Sequence, residues 1–195
     1  MGKIEARLKQ LGITLPNAPV VKANPALVSG VAVGELLFCQ GTLGHTNGNF
    51  PYLGKVGGKV TVEEAYHSAR LCAINHLAQA KALLGDLDRI VRVVQLTIYV
   101  NGVPGFEKSP FVSNGASDLF VEVFGPQNGA MARASLSVPD LIYTAPVETT
   151  CTFQIRPAGR ARAKNKARPA AKKTASKKTA SKKTTAKKTA KKRQV

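Results

Sequence analysis

Residues 61–100 read TVEEAYHSARLCAINHLAQAKALLGDLDRIVRVVQLTIYV, and this stretch sets the fold class. Thr61 and Glu64 have the T-x-x-E spacing of a capping box, in which the threonine hydroxyl accepts from the amide three residues on and the glutamate reaches back. Ala65, Ala69, Cys72, Ala73, His76, Leu77, Ala80, Leu83 and Leu84 then fall on one apolar stripe, and Gly85 stops the helix. So many alanines predict a helix that packs closely on a sheet. Ile90 to Val100 is rich in β-branched residues and reads as a central strand.

Outward from this core the pattern alternates between the two element types. Upstream, Ile4, Leu8 and Leu11 have helical spacing and Gly12 follows them as a stop. Pro16, Pro19 and Pro25 forbid a long helix after that. Val28 to Val33 reads as a strand, Gly34-Glu35 as a tight turn, and Leu36 to Cys39 as its apolar continuation. Thr42 to Gly58 is glycine-rich and reads as a long loop, the kind of segment that often carries function. Downstream, Asn101 to Pro110 reads as turn and loop, and Asn114 to Phe124 as a second long helix. Met131 to Val138 and Val147 to Ile155 alternate as strands, with Pro139-Asp140 and Pro146 marking a hairpin between them. The sum is an α+β domain, a mixed β-sheet with two helices packed on one face.

The charge divides the chain in two. Of 29 Lys and Arg, 16 lie in residues 158–195, which hold no Asp or Glu. Residues 1–157 keep 13 basic residues against 11 acidic ones, close to neutrality. A domain at 1–157 followed by a tail at 158–195 is expected. In the tail, lysine pairs begin at 172, 177, 182, 187 and 191, with only Ala, Ser and Thr between them. No side chain there can build a core, so the segment is expected to be disordered. Lys172, Lys173, Lys177, Lys178, Lys182, Lys183, Lys187, Lys188, Lys191, Lys192 and Arg193 are candidate phosphate contacts. The repeat carries no aromatic residue to stack on bases and almost no guanidinium forks to read their edges, so DNA or RNA would be held without regard to sequence. The tail resembles the Lys/Ala-rich tails of linker-histone-like (histone H1-like) and nucleoid-associated proteins.

Cys39, Cys72 and Cys151 are odd in number, scattered and without metal-ligand spacing, as expected for reduced core thiols. His67 and His76 stand nine residues apart on one helix and do not share a face as i, i+4 ligands would; no metal and no cofactor is expected. The N-terminus lacks the apolar run of a secretory signal, and no stretch approaches a membrane span. A soluble, cytoplasmic protein with no membrane partner is expected, its tail pointing to the nucleoid.

Two polar residues stand out among apolar neighbours: Arg133 in GAMARASLSV and Glu148 in APVETTCTF. A turn near 140–141 would set them almost opposite one another. Spacing leaves two readings open, a cross-strand ion pair or a ligand site.

F-C-Q-G at 38–41, the V-E-E-A helix, G-D-L-D-R-I-V at 85–91, N-G-A-S-D-L-F at 114–120, and A-R-A-S at 132–135 followed by V-E at 147–148 together resemble the Rid superfamily. These are the YjgF-like reactive imine and enamine deaminases, some of which carry an endoribonuclease (L-PSP) name. The resemblance covers about residues 17–156. It implies a chorismate-mutase-like fold, a homotrimer with clefts between subunits, and cofactor-free hydrolysis of small 2-imino or enamine acids to keto acids and ammonia. By match, Arg133 would clamp the substrate carboxylate and Glu148 would hold or activate water. Asn114 would line the cleft, and the backbone at Gly41-Thr42 and Ala134-Ser135 would supply amide donors. Leu27, Gln40 and Ser135 stand where the deaminases carry tyrosine, serine and often cysteine. The clamp therefore survives in altered surroundings, with Tyr52 and His45 as further cleft candidates. A non-catalytic carboxylate-binding trimer tethered to DNA is the alternative, and ribonuclease action ranks last.

Overall fold

The computed structural model describes residues 2–18 and 26–157. The tail, with all its candidate phosphate contacts, lies outside the described residues.

Among the described residues, three α-helices and six strands follow in the order α1 (Lys3–Gln10), β1 (Gly30–Val33), β2 (Leu36–Cys39), β3 (Thr42–Leu43), α2 (Val62–Leu84), β4 (Ile90–Asn101), α3 (Ser109–Gly129), β5 (Ala132–Val138) and β6 (Val147–Ile155). The strands form one mixed sheet in the order β1-β2-β6-β4-β5, with β3 also paired to β6. The α+β expectation holds, as does the capping box: Glu64 N donates to Thr61 Oγ1 at 3.1 Å and Thr61 N to Glu64 Oε2 at 2.8 Å.

Helices α2 and α3 lie together on one face of the sheet. Strand β6 shows how the core is built, because its residues alternate strictly: Val147, Thr149, Cys151, Phe153 and Ile155 are buried while Glu148, Thr150, Thr152 and Gln154 are half-exposed. The buried set meets Cys72, Ala73, Leu77, Leu119 and Phe120 beneath the helices. All three cysteines are free and buried. The α2–α3 contact is close because Gly115 has no side chain: a Cβ there would fall on the Tyr66 carbonyl oxygen. Arg70 closes the same seam with a two-pronged pair to Glu122, at 3.1 and 2.6 Å.

The other face of the sheet has no helix over it among the described residues. Cross-strand partners share a face, so Val31, Phe38, Thr152, Thr150, Thr97, Tyr99, Leu136 and Glu148 all belong to it. Phe38, 46 % exposed, is the largest apolar side chain left bare there.

Two expectations need correction. The strands holding Arg133 and Glu148 are not a hairpin. Among the described residues β5 pairs only with β4, in parallel, while β6 pairs with the other edge of β4, antiparallel. Helix α3 is the crossover that makes β5 parallel to β4, and residues 139–146 then carry the chain past β4. Helix α3 also begins at Ser109 rather than Asn114, because Pro110 sits in its first turn, where a missing amide costs nothing.

Candidate active site

Arg133 stands beside Leu96 of β4 in the parallel register. Leu96 is buried under the helices, so Arg133 points to the helix side from the outermost strand. There it is exposed and held by α3. Nη1 donates to Asn114 Oδ1 at 2.8 Å and to Ser117 Oγ at 3.0 Å, and Nη2 reaches the Pro110 carbonyl at 3.5 Å. Two of the five guanidinium N–H groups, Nε–H and one on Nη2, have no acceptor among the described residues. Nor does Arg133 belong to either ion pair found among them, Arg70–Glu122 and Lys81–Glu5. The cross-strand pair with Glu148 is excluded.

Glu148 lies on the open face, cross-strand to Tyr99 on one side and Leu43 on the other. Its carboxylate rests over Gly41, where a Cβ would stand 2.7 Å from Oε1. The glycine of F-C-Q-G is thus the space the carboxylate occupies. Partial burial raises the Glu148 pKa above the ordinary carboxylate value, and no hydrogen bond to a described residue offsets the lost water. Thr42 is buried, its hydroxyl turned to the Leu43 carbonyl at 3.4 Å, and only its backbone remains for a ligand. Ser135 shares the helix-side face of β5 with Arg133, in register with Ile98.

The predicted residues therefore fall into two groups. Arg133, Asn114 and Ser135 stand on the helix side of the sheet's outer edge; Glu148 and Gly41 stand on the bare face. The partners of Arg133 and Glu148 on β4, Leu96 and Tyr99, are three residues apart. With strand spacing near 4.8 Å and a rise near 3.3 Å per residue, the two Cα atoms are about 14 Å apart within one chain. Three clefts among the described residues are lined by neither residue; one of them is lined by Tyr52 with Phe50, Lys59 and Glu64. Ser117 was missed by the sequence reading, although it follows Asn114 by three residues on one helix face, the spacing that puts both under a single guanidinium.

Beneath Glu148, on the core side, His76 is fully buried. Its Nδ1 lies 3.0 Å from Gln79 Oε1 and its Nε2 2.9 Å from Thr149 Oγ1, and burial pushes its pKa down to about 4. It is a neutral structural link between α2 and β6. One grouping of three carboxylates, Glu5, Asp86 and Asp88, occurs among the described residues. Asp88 there accepts from the first amides of α1, Lys3 N and Ile4 N, and Glu5 is paired with Lys81, so both are already occupied by structural partners.

A mixed sheet with two helices on one face is the architecture of the YjgF/chorismate-mutase-like fold. The family model described as "YjgF/chorismate_mutase-like, putative endoribonuclease" matches residues 5–153, and the chain belongs to this family. It is 39% identical over 154 residues to Protein TCP17 of Trypanosoma cruzi, covering 79% of this chain and 95% of that protein. Among solved structures, a protein of unknown function from Agrobacterium tumefaciens is 41% identical, with a TM-score of 0.72 over 79% of this chain and 93% of that one. A Shewanella oneidensis protein described as a putative endoribonuclease is 28% identical, with a TM-score of 0.74 over 79% of this chain and 100% of that one. Escherichia coli YjgF, 18% identical with a TM-score of 0.51, shares the fold.

Proposed function

We propose that this protein hydrolyses small 2-imino or enamine acids to keto acids and ammonia, at sites shared between copies in a homotrimer. The observation that carries this reading is Arg133: a guanidinium pinned on one side by Asn114 and Ser117, with two donors unclaimed and no carboxylate partner among the described residues. Such a fork suits a carboxylate, which it can hold by two parallel bonds. Asn114 and Ser117 fix its direction, so little rotamer freedom remains to be lost on binding. Glu148 supplies the second element. A carboxylate with a raised pKa is a better proton acceptor and donor near neutrality than an ordinary one. In the proposed step a water attacks the C=N carbon while one of its protons passes by way of Glu148 to the nitrogen, giving a carbinolamine; Glu148 then takes the hydroxyl proton and returns it to the amine as C=O forms and the C–N bond breaks. The products are the keto acid and ammonia, with no redox change and no cofactor needed.

Arg133 and Glu148 cannot act on one small molecule within one chain, about 14 Å apart and on opposite faces of the sheet. Seating the outer edge of one copy against the bare face of the next unites them and covers Phe38 and its apolar neighbours. Such an edge-to-face contact repeats around a closed ring of copies, of which a homotrimer is the proposed one. If Glu148 lacks the orientation that hydrolysis demands, the same guanidinium serves a non-catalytic carboxylate-binding scaffold. An endoribonuclease action, the name some relatives carry, has less support, since residues 1–157 carry 13 basic against 11 acidic residues and are nearly neutral in sum. We also propose that the tail holds DNA or RNA through its lysine pairs.

The decisive experiment follows the decay of 2-iminopropionate or 2-iminobutyrate. Arg133→Ala and Glu148→Gln should each abolish the acceleration. When the two variants are unfolded together and refolded, random assembly gives one site in four both native groups, so about a quarter of the wild-type rate should return. No acceleration by the wild-type protein would leave the scaffold reading. Activity lost in both variants and not regained on mixing would place the site within one chain.

A further inference from the structure

Near the Glu148 end of β6 the backbone adopts a costly conformation. Tyr143 and Thr144 both have positive φ, 57° and 53°, and neither is glycine. Two successive left-handed residues with β-carbons cost of order 1 kcal/mol or more each, and such strain persists only where the surroundings enforce it. They are enforced here: Thr144 N donates to the Leu141 carbonyl at 3.1 Å, Ala145 N to Ile142 at 3.1 Å, and Gly54 N to the Thr144 carbonyl at 2.8 Å. The strain does not bury anything. It turns Ile142 and Tyr143 outward, 64 % and 71 % exposed.

Tyr143 is nevertheless not loose. Its ring packs on Phe50 at 5.7 Å between centroids, and Phe50 packs on His45 at 5.3 Å. The far end of this row of rings is anchored to the scaffold. Asn75 of α2 donates to the carbonyls of both Leu43 and His45, at 2.9 Å each, and Gly48 N donates to His45 Nδ1 at 3.3 Å. Leu43 is the cross-strand partner of Glu148, and Tyr143 precedes Glu148 by five residues. The row thus begins two residues from the strand that flanks the catalytic candidate and ends in an upright, solvent-facing ring.

We propose that the acid handled at this site carries an aromatic side chain, and that Tyr143 is the wall against which this ring packs. The inference rests on the reading of Arg133 and Glu148 given above and names its substrate class: 2-imino or 2-oxo acids ending in an aryl group. Ring-on-ring packing in an offset or edge geometry, backed by Phe50, gives a planar side chain a preference of about three- to tenfold over a methyl group beyond simple burial. The carboxylate end stays with Arg133.

The test uses the full chain and two commercial acids, pyruvate and phenylpyruvate, in equilibrium titrations followed by ligand-observed NMR. The wild-type protein should bind phenylpyruvate at least fivefold more tightly than pyruvate, and Arg133→Ala should lose both. Tyr143→Asn keeps a residue that tolerates positive φ while removing the ring, and should bring the ratio to twofold or less; Tyr143→Phe should restore it. A wild-type ratio of twofold or less, or a ratio unchanged in Tyr143→Asn, overturns the aryl preference and leaves the carboxylate site standing. Binding of neither acid overturns both. Light scattering on Tyr143→Asn supplies a further check: a change in oligomeric state would assign the ring to assembly instead and overturn its role as a substrate wall.

Discussion

His76 shows what a single side chain can decide. It is fully buried, and its pKa falls from 6.5 to about 4 because the charged ring would lose its water. The unfolded chain therefore takes up a proton on this residue at a pH where the folded chain refuses it. The stability it contributes is complete above about pH 6.5 and is lost as pH falls from there towards 4. At 1.36 kcal/mol per pK unit this amounts to about 3 kcal/mol across the window. Urea unfolding at pH 7 and pH 4.5 should show a loss of at least about 2 kcal/mol, and His76→Gln should flatten the slope. Glu148 works in the opposite direction. Its raised pKa means that the ionised form is the disfavoured one when folded, so its penalty is present at neutral pH and relieved by acid.

Among the elements, the α2–α3 pair is the least forgiving. Gly115 lies against the backbone of Tyr66, and a methyl there has only a carbonyl oxygen to push against. Neither helix can yield alone, because Arg70–Glu122 and the Tyr66–Asp118 hydrogen bond at 3.0 Å tie them along the same seam. Gly115→Ala should cost about 2–3 kcal/mol, lowering the melting temperature by roughly 5–10 °C in calorimetry. That cost is the reverse of the usual gain from replacing a helical glycine by alanine. The elements themselves were largely legible from sequence. The capping box and Gly85 fix both ends of α2, and the β-branched run fixes β4. Strand order was not, since alternation in β5 and β6 satisfies a hairpin as well as two strands separated by β4. The deciding signal was present in β4-α3-β5, a strand–helix–strand unit that makes its two strands parallel and leaves β6 to pair elsewhere. With the hairpin went the idea that Arg133 and Glu148 face each other. What the reading did find were the residues themselves, because charged groups in apolar strands need a reason whatever the topology. Ser117 and the His45–Phe50–Tyr143 row escaped it because their meaning comes from contacts 16 and more residues apart for the first and across two loops for the second.

At the scale of the whole molecule the chain joins a nearly neutral domain to a strongly basic segment, and the two should be separable in experiment. Removing residues 158–195 should eliminate retardation of DNA in low-salt gels while leaving the melting temperature of the domain unchanged. With about half of the 16 basic groups engaged, the full chain should show log K falling against log salt with a slope of roughly −7. DNA retardation that persists after the deletion would move the phosphate contacts onto the domain.

Strand β6 carries Glu148 near its beginning and ends at Ile155. Seven residues of extended chain put about 23 Å between them. A fluorophore or surface anchor coupled at Pro157 itself, two residues past that end, therefore sits far from Glu148, and labelling there should leave the proposed chemistry unobstructed.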